Sequence, residues 1–160
     1  MSTPLYGEKI VAYIRLARPA NIITAVSDIL AGVSVSGIFI TAGNHFTIPP
    51  YQQILWLVLS TSCLYGGGII FNDVFDAELD KKERPERPIP RGLATVKGST
   101  ILGIFLFVLG IFSAFQVSLL SAVIALTIVI LSITYDSFLK HHFFFGPLNM
   151  GMCRTANLFL

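Results

Sequence analysis

Apolar residues run along this chain in long blocks, separated by short polar breaks. A helix needs about 20 apolar residues to cross a bilayer. The first block of that size runs from about Ala20 to Ala42 and contains one charge, Asp28. A polar turn with Asn44, His45, Pro49 and Pro50 separates it from a second block over residues 53–72. Between Lys97 and Asp136 there is no charge at all. As a single helix that stretch would reach about 57 Å, against a hydrocarbon core of roughly 30 Å. It must fold back once, and Gln116, Val117 and Ser118 mark the turn, leaving helices over about 99–116 and 119–136. A fifth apolar segment occupies 143–160. The pattern predicts an all-α polytopic transmembrane bundle, four spans plus the start of a fifth, with a polar loop over 73–98.

Composition strengthens that reading. Of 160 residues, 54% are hydrophobic and only 12% charged, and the mean hydropathy is +0.74. A soluble domain carries about 25% charged residues, and a single core of this size could not hide so much apolar side chain. The net charge of +2 is spread over short basic clusters, which excludes a nucleic-acid footprint. Cys63 and Cys153 lie in apolar runs without metal or redox spacing and read as packing residues. The first apolar block follows some twenty residues containing Glu8, Lys9, Arg15 and Arg18, which argues against a cleavable signal.

Charge also orients the spans. Lys9, Arg15 and Arg18 precede the first, Lys81 to Lys97 lie between the second and third, and Lys140 lies between the fourth and fifth. All three groups fall on one side, the cytoplasmic side by the positive-inside rule. The expectation is a multi-pass protein of a bacterial plasma membrane, with its N-terminus and the 73–98 loop in the cytoplasm.

The chemistry concentrates in residues 71–92, FNDVFDAELDKKERPERPIPRG. Six of the nine acids fall here: Asp73, Asp76, Glu78, Asp80, Glu83 and Glu86. If the second helix continues through the motif, Asn72, Asp73, Asp76 and Asp80 share an arc of about 100°, while Glu78 lies opposite. Carboxylates stacked on one face repel unless something positive sits among them. Mg²⁺ suits such a face, because it takes oxygen ligands and commonly combines one or two carboxylates with substrate phosphates. The arginines that follow suit phosphate oxygens. The plain alternative is a wet loop that ends a helix. It accounts for Lys81 to Glu86, but less well for the arc or for Pro88 and Pro90.

The run Asn72-Asp73-Val74-Phe75-Asp76-Ala77-Glu78-Leu79-Asp80, followed by Arg87-Pro88-Ile89-Pro90-Arg91-Gly92, resembles the first aspartate-rich motif of the UbiA-type intramembrane prenyltransferases. The resemblance extends to Arg18-Pro19-Ala20-Asn21 at the start of the first span and to Tyr135 through Lys140 after the fourth. It implies that Asn72, Asp76 and Asp80 hold Mg²⁺ against an isoprenyl diphosphate, with Asp73 supporting and Asp76 and Asp80 catalytic. Arg87 would contact the diphosphate, assisted by Arg84, Arg91 or Lys140. A lipophilic acceptor, often aromatic in this family, would be alkylated within the bilayer.

The family resembles a bundle of about nine helices with two such motifs. Asp136 is the only acid beyond Glu86, so no second motif exists in this stretch. The chain therefore reads as a fragment, inactive alone, whose partner is the C-terminal half of the same fold. A non-catalytic transporter or scaffold that keeps the fold is the competing reading. A soluble terpene-type synthase is disfavoured by the uncharged spans.

Four further residues are candidates for the cavity. Asp28 is an ionisable group at membrane depth, either lining a pocket or bonded to a neighbouring helix. Asn21 shares its face at i+7. Arg154 could line the cavity, pair with an acid such as Asp28, or mark a kink. Tyr135 could approach the diphosphate or the acceptor, or be an interfacial Tyr. His141-His142 reads as an interfacial pair, and Gly66-Gly67-Gly68 as a site of close helix packing or a bend.

Overall fold

The structure is a computed structural model that describes residues 6–36, 50–140 and 142–160. The described part is helical throughout, with no strand among the described residues. An amphipathic helix α1 (Tyr6–Leu16) leads into α2 (Pro19–Ser36). Then come α3 (Pro50–Phe75), the short α4 (Ala77–Glu83), α5 (Val96–Phe115) and α6 (Leu119–Thr134). A π-helical segment (Tyr135–Leu139) extends α6, and α7 (Phe145–Phe159) closes the chain. Among the described residues, four stretches are long and apolar enough to cross a membrane: Gly7–Ser36, Pro50–Phe75, Val96–Phe115 and Leu119–Leu139. The far end of the first expected span and the turn at Asn44, His45 and Pro49 lie outside the described residues.

Hydroxyl caps set two of the boundaries. The Thr95 side chain accepts from the backbone N–H of Gly98 at 3.0 Å, and that of Ser118 from Ser121 at 2.9 Å. Each satisfies a donor that a helix start leaves open. Between α5 and α6 only residues 116–118 turn the chain.

The centre of the bundle is the contact between α3 and α5. It is close because glycines face aromatic rings: a Cβ on Gly67 would lie 2.8 Å from Phe107, and one on Gly103 would lie 2.8 Å from Phe71. Those two rings stack across the same contact with centroids 5.2 Å apart. Of the three consecutive glycines, Gly67 thus receives α5, and Gly68 packs against Ser132 of α6.

α6 packs on α5, and α7 bridges α6 and α2. Buried amides pin α7. Asn149 donates to the Leu131 carbonyl at 2.8 Å, and Asn157 donates to the Ala25 carbonyl at 3.1 Å while accepting from Thr61 Oγ1 at 2.5 Å. Such interhelical bonds contribute about 0.6–2 kcal/mol each in lipid. The outer faces of α5 and α6, by contrast, expose Ile101, Phe105, Val108, Leu119 and Leu126, as lipid-facing surfaces do.

α3 is about 39 Å long, more than a roughly 30 Å core requires. It is therefore long enough for its last turn, Asn72 to Phe75, to extend past such a core. At Asp76 the helix hitches (φ −84°, ψ 0°) and restarts as α4. Backbone bonds from Asp76 to Asn72 (3.0 Å) and from Asp80 to Asp76 (2.8 Å) carry the helical sense across the hitch. Half of the stretch expected to be loop is thus helix. The remainder, residues 84–95, is anchored by Ile89 and Ala94, which are buried against Leu16 of α1 and Ile70 of α3. α1 is the element that the apolar blocks did not reveal. It is too short and too charged to register as a span, and only Ala12 and Leu16 of its inner face are buried.

Candidate functional site

The aspartates meet their partners where α3 ends. Asp73 and Asp80, each with a side chain only 5% exposed, lie on either side of Arg87. The Arg87 guanidinium donates to Asp80 Oδ2 at 2.6 Å and to Asp73 Oδ1 at 3.1 Å. Residues 84–95 hold it there through turns closed by Arg87 N to Arg84 O, and by Leu93 and Ala94 N to Pro88 O. Pro88 and Pro90 remove donors and fix φ in this segment.

Arg18 reaches the same Asp73 oxygen at 2.7 Å from the bend between α1 and α2. Its backbone is left-handed (φ +45°), which costs a non-glycine residue about 1–3 kcal/mol. Pro19 then starts α2 at the position where proline is favoured.

The third arm comes from the π-helical segment. Its wider turn, closed by Lys140 N to Tyr135 O at 3.0 Å, presents Asp136 and Lys140 toward α3. Lys140 pairs with Asp76. Asp136 accepts from Asn72 Nδ2 at 2.8 Å. An ionised carboxylate only accepts, so the amide nitrogen is the atom turned to Asp136 and Asn72 Oδ1 is left for the cavity.

These groups form the floor of a cavity of about 670 Å³. Leu64, Ile69 and Ile128 supply apolar wall, and Asp28, Arg154 and Asn157 close the other end. There Arg154 Nε stands 3.9 Å from Asp28 Oδ2 and Asn157 Nδ2 stands 3.5 Å from the same atom, so Arg154 lines the cavity and pairs only loosely with Asp28. Asn72, Asp76, Asp80, Arg84, Arg87, Tyr135 and Lys140 all line this one space. Cys153 does too, whereas Cys63 is buried in packing.

Two expected residues lie elsewhere. Asn21 is exposed and does not line the cavity, because the packed face of α2 begins one turn later at Ala25 and continues to Ile29. Arg91 lines a second cavity, of about 760 Å³, on the far side of the Arg18–Asp73–Arg87 contact. Asp73 also faces that side. Two residues at the site, Arg18 and Asp136, carry no role in the sequence pattern. Their signals were the Arg-Pro step and the isolation of Asp136 as the last acid. His142 is exposed and edge-on to Phe145, and His141 lies outside the described residues.

Among the described residues, no three His, Cys, Asp or Glu side chains converge as a closed metal cage. The donors facing the cavity, Asn72, Asp76 and Asp80, are all oxygen, which suits a hard cation. Because Mg²⁺ takes one or two carboxylates together with waters and phosphate oxygens, the set fits an open half-site and not a cage. Each carboxylate is engaged by a cationic side chain in this arrangement, so a bound cation would share the floor with Arg87 and Lys140.

Comparison with known proteins gives a consistent picture. A sequence model of the UbiA prenyltransferase family matches residues 30–158. The digeranylgeranylglyceryl phosphate synthase of Methanococcoides burtonii is 34% identical over 92% of this chain and 52% of its own length. Those of Sulfurisphaera tokodaii and Saccharolobus solfataricus are 30% and 32% identical, each over 92% of this chain and 50% of the relative. The chain therefore spans about half the length of these curated relatives. A solved structure from work on digeranylgeranylglyceryl phosphate synthase in membranes superposes with a TM-score of 0.83 at 23% identity, over 94% of this chain and 51% of that one. That likeness shows the fold.

Proposed function

The chain belongs to the UbiA prenyltransferase family, and from that premise we propose that the whole protein transfers an isoprenyl group from its diphosphate to a lipophilic acceptor inside the membrane. One observation carries the reading: Asn72, Asp76, Asp80, Arg87 and Lys140 converge on the floor of a cavity whose walls are apolar helices. A diphosphate head fits the floor, and an isoprenoid tail fits the walls.

Arg87, Arg84 and Lys140 would pair with phosphate oxygens and hold the head group in place. Asn72, Asp76 and Asp80 would hold Mg²⁺, which when bound supplies charge that offsets the diphosphate. The carbon–oxygen bond to the diphosphate breaks, and its electron pair leaves with the oxygen. Positive charge then develops on the allylic carbon in a space with little water, where fixed charges act strongly. The acceptor's nucleophilic atom bonds to that carbon and gives up a proton. Asp28 and Arg154, at the far end of the cavity, would contact the tail or the acceptor.

The relatives' names point to a glycerol lipid bearing phosphate as the acceptor class, and we extend that class to this protein in preference to an aromatic acceptor. The basic loops would face the cytoplasm, as the distribution of Lys and Arg supports.

The test is transfer of a labelled geranylgeranyl group by the full-length protein in membranes, with Mg²⁺ present. Asp76→Ala should lower the rate by about 10²–10³, the loss that follows removal of a group stabilising developing charge. Full activity in that variant, or no diphosphate released by the wild type with any acceptor, would count for a non-catalytic scaffold.

A further inference from the structure

The second cavity has no role in that scheme, and its chemistry is different. Arg15, Arg84 and Arg91 line it, and none of them forms an ion pair among the described residues. Arg18 and Arg87 line it as well, held against Asp73. Glu8, Asp73 and Glu86 are the carboxylates on the wall, so five arginines face three acids. Guanidinium groups gathered around one hollow repel each other unless an anion sits among them.

The oxygen donors of the motif, Asp73 excepted, face the other way. Asn72, Asp76 and Asp80 line the first cavity and not this one. The hollow thus offers an anion its arginines, without the Asn72–Asp76–Asp80 half-site for a divalent cation. α1 adds an apolar border: Val11 lines the hollow, and Ile10 and Ile14 on the same helix are exposed. A charged hollow bordered by an exposed apolar helix is suited to a lipid head group at the membrane surface.

We propose that this cavity binds the phosphate head of the lipid acceptor, with Arg15 and Arg91 as its own ligands and Arg84 shared across the partition. The proposal rests on the prenyl-transfer reading for the acceptor's identity, but its test does not depend on turnover. Two basic hollows on either side of Arg87 would keep the diphosphate and the monophosphate apart: Lys140 serves only the first, Arg15 and Arg91 only the second, and Arg18, Arg84 and Arg87 line both.

The experiment is calorimetric titration of the full-length protein in detergent. Dioctanoylglycerol phosphate, dioctanoylglycerol and inorganic phosphate are titrated without Mg²⁺, and inorganic diphosphate with it. The lipid phosphate should bind the wild type, and the Arg15→Gln/Arg91→Gln double variant should bind it at least about tenfold more weakly. That follows if about 1.4 kcal/mol or more of charge-assisted bonding is lost. Diphosphate binding with Mg²⁺ should stay within about twofold, as those two residues do not line the carboxylate cavity.

Glu86→Gln removes an opposing charge and should tighten lipid phosphate binding, which guards against a double variant that merely folds poorly. Equal lipid phosphate affinity in wild type and double variant overturns the proposal. So does weaker binding in Glu86→Gln. Inorganic phosphate binding as tightly as the lipid would mark a free-phosphate site and overturn the lipid assignment. Failure of the diphosphate arm alone would sink the prenyl-transfer reading and leave the second site standing.

Discussion

Two cavities meet at the contact of Arg18, Asp73 and Arg87, and they are built from opposite materials. On one side, carboxylate and amide oxygens of α3 and α4 face a space walled by Leu64, Ile69 and Ile128. On the other, arginines from α1 and residues 84–95 face a hollow with few apolar walls. The partition belongs to both. Arg87 reaches Asp80, which lines the first cavity, and Asp73, which lines the second. One motif therefore serves two spaces, because its aspartates point to different sides of a helix end.

That difference can be broken most severely at the partition. Arg87→Ala leaves two buried carboxylates without their shared partner, and its own side chain is only 14% exposed. Loss of one member of a buried pair destabilises by about 3–5 kcal/mol. A markedly lower melting temperature in detergent, together with weaker binding of both diphosphate and lipid phosphate, is the expected result. A variant with unchanged melting and only one ligand affected would show that the two spaces do not share a wall.

A second substitution should act on one side alone. Asp136→Asn replaces an acceptor that fixes the Asn72 amide with a group able to donate, so that Asn72 Oδ1 loses its orientation toward the cavity. Outer partners of metal ligands are worth about 10–100-fold in metal affinity. The Mg²⁺ concentration needed for half-maximal transfer should rise by about tenfold or more, while lipid phosphate binding stays constant. An unchanged Mg²⁺ requirement would separate Asp136 from the metal side.

The smallest effect is expected at Glu78. It lies within the acidic motif but lines neither cavity, with a side chain 86% exposed and paired, among the described residues, with Lys81. Glu78→Ala should change stability by less than about 0.5 kcal/mol and leave activity intact. A large loss in either assay would mean that the acidic run acts by its total charge and not by its faces.

Part of this division was legible along the chain. The turn of 100° per residue separated Glu78 from Asn72, Asp73, Asp76 and Asp80, but it set Asp73 within about 20° of Asp80 and gave no sign that Asp73 faces the second cavity. The hitch at Asp76 leaves that arrangement in place, since the backbone bonds continue across it. The contacts of Arg18, Asp136 and Lys140 were not legible, because these residues come from 55 to 64 residues away in sequence. Lys140 and Asp136 reach α3 only through the π-helical turn, and Arg18 only through a left-handed backbone bend. Asn21 shows the limit of the periodicity argument. It shares a face with Asp28, but the packed part of that face starts above it.

By itself, the sequence determined the solvent, the spans and the chemical character of the motif. Transfer free energy depends on local runs of side chains, and helical spacing is a local geometry. Only the tertiary structure decided which cation meets which carboxylate, and that Arg87 stands at both cavities while Arg91, four residues on in the same loop, lines only the second. Those outcomes depend on how α1, α3 and the π-helical segment pack around the end of α3, and no local pattern encodes that packing.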